Sequence, residues 1–308
     1  MLSKPVDLKT ATADIGAIVL GKDRQVQQAF CCLLAGGHLL IEDLPGVGKT
    51  TLSQAFARVS GLEYRRVQFT SDMLPSDILG VSIFDRNSNA FHFHPGPVFT
   101  QFLLADEINR ASPKTQSALL EAMAEGRVTV EGETRDLPQP FFVMATQNPW
   151  YQSGTFPLPE SQLDRFLMRI SLGYPDARSE RALLQGGDPR EHLVNLRPRL
   201  DGAQILALRE RVRQVEARDS VISYIQRLVA FSREDVRFAY GLSTRAALAL
   251  LQCAKAWALL EGRDYVLPDD VQAVLEPVAA HRLQGATDSS ADGTELVQHM
   301  LSDVAVLA

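Results

Sequence analysis

Apolar residues in the first half of this chain come in short runs, separated by longer stretches with helical spacing. RQVQQAFCCLLA (24–35) suits a helix that the Gly36–Gly37 pair stops. HLLIE (38–42) is a short apolar run of the kind that forms a buried parallel strand. KTTLSQAFARVSG (49–61) predicts a helix ended by Gly61, and YRRVQFT (64–70) alternates enough for a second strand. QFLLADE (101–107) reads as a buried strand ending in two acids, and Pro113 opens a helix that continues to Gly126. RVTVEGETRDL (127–137) predicts a β-hairpin turning around Gly132. PFFVMATQNP (140–149) and FLMRISLGYP (166–175) complete the strands.

The pattern changes near GYPDARSE (173–180). Beyond it DGAQILALRERVRQVE (201–216), VISYIQRLVAFSRE (221–234), STRAALALLQCAKAWALLEG (243–262) and PDDVQAVLEPVAAHRL (268–283) all read as helices. The final stretch, 285–304, begins loose and ends in a short helix. Strands alternating with helices predict an α/β domain, a parallel sheet flanked by helices, over residues 1–173. A smaller all-α domain is expected over 174–308. In such sheets ligands sit at the carboxyl ends of strands. Asp106, Glu107 and Asn148 all stand at strand ends, so they should converge on the loop that follows HLLIE.

Composition narrows the class. With 308 residues and 45% hydrophobic content the chain can bury a real core. A net charge of −6 gives no broad basic footprint for nucleic acid. Cys31, Cys32 and Cys253 form neither a disulfide framework nor a zinc pattern, and read as buried reduced thiols. The N-terminus lacks the apolar core of a signal peptide, and the most apolar later segment is interrupted by Gln252 and Lys255. A soluble cytoplasmic protein without a membrane span is expected.

The loop after HLLIE carries the chemistry. Residues 43–50, Asp43-Leu-Pro45-Gly46-Val47-Gly48-Lys49-Thr50, match a phosphate-binding loop except at the first position, where glycine is usual. Gly46 and Gly48 let backbone amides face a phosphate, Lys49 supplies a point charge to the β and γ phosphates, and Thr50 offers a hydroxyl to Mg²⁺. The helix that begins there, with Thr51 in its first turn, aims its positive end at the anion. Asp43 lies at the strand exit, where aspartate tolerates turn conformations. After the third strand, Asp106 can hold Mg²⁺ and Glu107 can take a proton from an attacking water. Asn148 can orient that water. Phosphoryl transfer needs further positive charge, for which Arg165 and Arg245 are candidates that spacing alone does not select.

Taken in order, PGVGKT, LLADEINRASPKTQSALLEAM, ATQNP, LPESQLDRF and GLSTRAAL resemble the AAA+ ATPases, and specifically the MoxR family, from about residue 18 to about 275. The resemblance implies a P-loop AAA+ domain followed by an all-α lid, with ATP and Mg²⁺ as ligands. It implies that Lys49 and Thr50 belong to Walker A, Asp106 and Glu107 to Walker B, and Asn148 to sensor 1. It makes Arg165 the arginine finger acting on a neighbouring subunit's nucleotide, Arg245 sensor 2, and Gly21 of IVLGKD a neighbour of the adenine. It also implies a homo-oligomeric ring, typically hexameric, that acts chaperone-like on protein clients, often beside a partner with a von Willebrand factor A domain. Residues 77–99 correspond to the helix-2 insert and 127–137 to the pre-sensor 1 hairpin, both candidates for gripping a client. Asp43 and Thr244 stand where the family commonly has glycine and proline. FHFH (91–94) reads as a strand with one exposed imidazole face, since two histidines without a third ligand make a poor metal site.

Two rivals to a protein-remodelling ATPase follow from the same residues. A nucleotide-gated scaffold with slow turnover has little need of a positioned base such as Glu107. A nucleic-acid-directed motor is disfavoured by the acidic balance and the lack of a Lys/Arg run.

Overall fold

The strongest apolar runs become the centre of the sheet. The computed structural model describes residues 7–148, 154–186, 189–286 and 292–306. Helix α1 (Leu8–Gly16) is capped by the Asp7 carboxylate, which accepts from the Thr10 amide, and is followed by α2 (Asp23–Leu34). Strand β1 (Leu39–Glu42) leads through the phosphate loop into α3 (Lys49–Ser60) and then β2 (Tyr64–Gln68). Helix α4 (Pro75–Leu79) and the antiparallel pair β3 (Gly80–Asp85) and β4 (Ala90–Pro95) form the insert. Next come β5 (Phe102–Asp106), α5 (Pro113–Glu125), the hairpin β6 (Arg127–Val130) and β7 (Glu133–Asp136), and β8 (Phe142–Gln147). Helix α6 (Glu160–Leu163), β9 (Met168–Ile170) and α7 (Ala177–Gly186) follow.

The five-stranded parallel sheet has the order β2-β5-β8-β1-β9. Every residue of β5 and β8 is buried, as expected for central strands covered on both faces. On edge strand β2 only Val67 is buried, and its polar neighbours sit beside the site. Helix α3 packs on the sheet through Phe56, whose ring lies 5.8 Å from those of Phe102 and Phe142. Ser112 caps α5 by accepting from the Thr115 amide, and Pro113 fills its first position. The β6–β7 turn puts Glu131 and Gly132 at φ 55° and 80°, the left-handed pair a two-residue hairpin requires. The strand reading of FHFH holds, and His92 and His94 are exposed, but Phe91 on the opposite face is also 71% exposed. The hairpin is therefore wet on both sides at its tip, not on one imidazole face alone.

The later elements are α8 (Pro189–His192), α9 (Gly202–Gln214), α10 (Asp219–Glu234), β10 (Phe238–Tyr240), α11 (Thr244–Leu260), α12 (Pro268–Ala279), β11 (Gln284–Gly285) and α13 (Gly293–Asp303). The second domain is helical, as expected, with one small addition: β10 and β11 pair antiparallel with Phe238 opposite Gly285. Three residues facing two are too short to leave a periodic signal. A small-residue stripe on α11, including Ala246, Ala249, Cys253 and Ala256, is buried. Two compact units emerge: Met1–Asp23, Leu40–Arg165 and Ser171–Gly202 in one, and Arg24–Leu39, Phe166–Ile170 and Ala203–Ala308 in the other. The expected division at 173/174 is displaced, because residues 171–202 pack with the first unit: the Val59 carbonyl accepts from the Arg199 amide at 2.8 Å, and the Leu193 carbonyl from Arg58 at 2.7 Å. Among the described residues, no helix is long and apolar enough to cross a membrane.

Candidate nucleotide site

Gly46 and Gly48 take φ values of +88° and +95°, backbone that L side chains rarely adopt. A Cβ on either would meet nothing within 4 Å, so conformation rather than crowding demands glycine at both positions. Gly48 is the N-cap of α3, which turns the first amides of the helix toward the loop. Lys49 follows and is buried, with its Nζ donating to the Asp43 carbonyl at 2.6 Å and to Asn148 Oδ1 at 2.8 Å. Burial lowers the Lys49 pKa, and the carboxylates of Asp43, Asp106, Glu107 and Glu42 pull it partly back.

Asp43 turns its carboxylate away from the loop. Oδ2 accepts from the Leu172 amide at 2.6 Å, the Gly173 amide at 2.7 Å and Ser171 Oγ at 2.9 Å, while Oδ1 accepts from the Leu44 amide at 2.9 Å. Four donors satisfy this buried charge, which clamps the start of the loop to the chain leaving β9. Its hydrogen bond to Lys49 is made by the carbonyl, not the carboxylate.

The two acids reach one place because the strand ends between them. Successive strand residues point to opposite faces, but Glu107 takes φ +56° and swings its side chain round to join Asp106. A left-handed non-glycine residue costs roughly 1 kcal/mol or more. Thr146 holds it there: its Oγ accepts from the Glu107 amide at 2.9 Å and donates to Asp106 Oδ1 at 2.6 Å. Asp106 Oδ2 accepts from Arg66 Nη2 at 2.7 Å and Nε at 3.2 Å. Asn148 bridges the loop and the acids, accepting from Lys49 and donating through Nδ2 to Glu107 Oε1 at 3.1 Å. Arg110 closes on the other oxygen, Nε to Oε2 at 2.7 Å.

These groups open onto one cavity of about 750 Å³, lined among others by Pro45, Gly46, Val47, Gly48, Lys49, Thr50, Thr51, Asp106, Glu107 and Asn148. Ten site residues expected from sequence therefore come together. Gly21 does not line the cavity. It sits at φ +71°, where a Cβ would meet Ser179 Oγ at 2.5 Å, while Ile18, Val19, Leu20 and Lys22 around it form the wall. Arg165 is exposed just after α6 and donates to the Leu120 carbonyl at 2.7 Å, outside this cavity. Arg245 is exposed in the first turn of α11, in the second unit. Sequence reasoning missed Arg66, Gln68 and Thr146. Thr146 lies inside the strand run PFFVMATQNP with no motif to single it out, and the alternation in YRRVQ puts Arg66 and Gln68 on one face without naming the strand beside them. Pro149, which ends the ATQNP stretch, lies outside the described residues.

A sequence model of the ATPase family associated with various cellular activities (AAA) matches residues 38–168, and one of the AAA lid domain matches 230–300. YeaC of Bacillus subtilis is 43% identical over 97% of this chain and 94% of its own. Chaperone MoxR1 of Mycobacterium tuberculosis is 41% identical over 92% of this chain and 78% of its own. Protein MoxR of Methylorubrum extorquens is 32% identical over 88% and 85%. The crystal structure of a Cytophaga hutchinsonii protein assigned to the ATPases superposes with a TM-score of 0.87 at 36% identity, covering 97% of this chain and 94% of its own. With high-coverage relatives of that name and both parts of the fold matched, this chain belongs to the MoxR family of AAA+ ATPases.

Proposed function

We propose that this chain binds Mg·ATP in the 750 Å³ cavity, hydrolyses the γ-phosphate, and couples that cycle to chaperone-like remodelling of protein clients as a ring of identical subunits. The observation that carries the reading is the convergence of Lys49, Asp106, Glu107 and Asn148 with the Gly46–Gly48 loop on one cavity, from segments about a hundred residues apart. The donor set suits magnesium: carboxylate and hydroxyl oxygens from Asp106 and Thr50, beside a loop shaped for phosphate. Among the described residues no cluster of three or more His, Cys, Asp or Glu could hold a metal by itself, which fits an ion that takes its other ligands from phosphate and water. When bound, magnesium neutralises charge on the phosphate oxygens.

The chain's own groups do the rest. Amides of the loop and first turn of α3 bind the phosphates, and Lys49 adds a point charge. Glu107 accepts the proton of the attacking water, which Asn148 orients from its place beside that carboxylate. Arg245 and Arg165 supply transition-state charge, Arg165 to the nucleotide of the adjacent subunit. That assignment fits a guanidinium lying outside its own subunit's cavity. The relative named Chaperone MoxR1 supports the chaperone reading, and a partner with a von Willebrand factor A domain belongs to the same proposal.

The test is ATP turnover per subunit across protein concentration, with Arg165→Ala alongside. Turnover should climb as subunits associate. The variant should keep nucleotide affinity within about threefold and lose roughly 10³-fold or more in rate, the scale of a missing arginine finger. A concentration-independent rate, or an Arg165→Ala protein that turns over normally, would end the shared-site reading. A protein that binds nucleotide but barely turns over at any concentration would point to the scaffold alternative.

A further inference from the structure

Arg66 has no part in the mechanism above, yet it makes the closest charged contact to the carboxylate expected to serve the metal. It stands on edge strand β2, where Gln68 is the residue in register with Asp106. Residues two apart on a strand share a face, so the long side chain of Arg66 reaches forward over Gln68, whose Oε1 accepts from Nη2 at 3.3 Å. Its Nη2 and Nε then both donate to the single oxygen Asp106 Oδ2, at 2.7 and 3.2 Å. A carboxylate oxygen offers about two lone-pair sites, and these two donors fill them. The other oxygen, Oδ1, is taken by the Thr146 hydroxyl at 2.6 Å. While Arg66 stays bound, Asp106 thus offers a cation only the second lone-pair site of Oδ1, and a guanidinium and a dication on one carboxylate repel each other strongly.

We propose that Arg66 and the divalent cation are alternative partners of Asp106, so that Arg66 is a positioning residue that sets how strongly nucleotide binding depends on magnesium. The inference rests on the cavity being a Mg·nucleotide site. Without metal, Arg66 neutralises a carboxylate that would otherwise repel phosphate. With metal, the ion pair must open first. Both effects make nucleotide affinity less sensitive to magnesium than the site would be without this arginine. Arg110 provides the comparison, because it carries the same charge but pairs with Glu107 rather than Asp106.

The experiment measures the dissociation constant of a fluorescent ADP analogue for the full chain in excess Mg²⁺ and in EDTA, and takes the ratio of the two. Arg66→Gln should raise the EDTA-to-Mg²⁺ ratio by about three- to tenfold, the range expected for losing a part-exposed, charge-assisted pair. Arg66→Lys, which keeps the charge but not the two-donor grip, should raise it part-way. Arg110→Gln should leave it within twofold. An unchanged ratio, with both constants weakened equally, would make Arg66 a ligand of the nucleotide and overturn the proposal. A lowered ratio would overturn it too, by making Arg66 a helper of the metal. A shift as large in Arg110→Gln would reduce the effect to net charge and overturn it as well. Thermal melts in EDTA identify any variant that fails to fold, in which case Arg66→Lys carries the test. If wild-type protein binds no nucleotide in either buffer, the site assignment itself fails and takes this proposal with it.

Discussion

Two charged clusters, one in each unit, use the same bond lengths to opposite ends. In the second unit Arg263 grips Asp270 as a fork, Nη1 to Oδ2 at 2.7 Å and Nη2 to Oδ1 at 2.6 Å, and Asp270 Oδ2 also accepts from the Leu267 amide at 2.7 Å. The partners are seven residues apart in sequence, the Asp270 side chain is only 2% exposed, and the bonds tie the turn after α11 to the first turn of α12. In the first unit Lys49, Asn148, Glu107, Arg110, Thr146, Asp106 and Arg66 are also bonded to one another. Apart from Arg110–Glu107, three residues apart, those side-chain links join segments 40 to 99 residues apart, at or beside the ends of β5 and β8. Arg66 approaches Asp106 side-on, through one oxygen. The fork fixes a local shape. The side-on contact gives Asp106 the partner that the proposal above exchanges for a metal.

The comparison breaks if the two clusters respond alike to loss of one charge. The largest effect should be on turnover. Glu107→Gln keeps the shape and the Asn148 bond but removes the base, so the rate should fall 10²- to 10⁴-fold. Nucleotide affinity should stay within about threefold, and melting in EDTA should shift by no more than a few degrees. A Glu107→Gln protein as destabilised as a core variant would show that this network holds the fold rather than the reaction.

Asp270→Asn should do the reverse. It leaves the Arg263 guanidinium facing an amide that cannot balance its charge, at a cost of about 3–5 kcal/mol for breaking a buried pair. Denaturant melts would read this directly. Nucleotide affinity measured where the variant is folded should be unchanged. A loss below about 1 kcal/mol would place Arg263–Asp270 with ordinary surface pairs.

How far each cluster could be read beforehand follows the same division. The glycine-rich loop after β1, the acids at the end of β5 and Asn148 just past β8 were legible because each is contiguous and sits at a strand end. The convergence was legible from topology alone. What fills the space between them was not. Arg66 in YRRVQ looks like a solvated edge residue until β5 is known to lie beside β2, since register is a property of two strands. Asp43 looked like a defect in the loop because the amides of Leu172 and Gly173 that receive it come 129 and 130 residues later. Helix α1 went unread, its nine residues too few for a firm periodic signal. The β10–β11 pair was hidden for the same reason, and the placement of 171–202 was hidden because a linker's composition does not say which core it packs on.

The smallest expected effect concerns a buried group with no ionic partner. His281 lies in the short turn after α12, and its Nε2 donates to the Phe166 carbonyl at 3.2 Å. Its Nδ1 is buried without a hydrogen-bond partner among the described residues. Burial first, then the charges of Arg282 and Arg169, hold its pKa well below 6.5. The folded ring stays neutral while the unfolded ring gains a proton below about pH 6.5, so stability is lost as the pH falls through that value. The slope of that loss is bounded by about 1.4 kcal/mol per pH unit, the limit for a difference of one proton. Asp235, held down to about 2 by Arg237, acts in a separate window between its ordinary value of 3.8 and about 2, where its stabilisation fades as the carboxyl protonates. His281→Gln keeps a donor for Phe166 but cannot titrate, so its melting midpoint should change less than the wild type's between pH 7 and pH 5. Equal pH dependence in the two proteins would mean that groups elsewhere dominate acid destabilisation. The opposite outcome, a flatter profile in the variant, would assign the wild type's acid loss to the buried ring of His281.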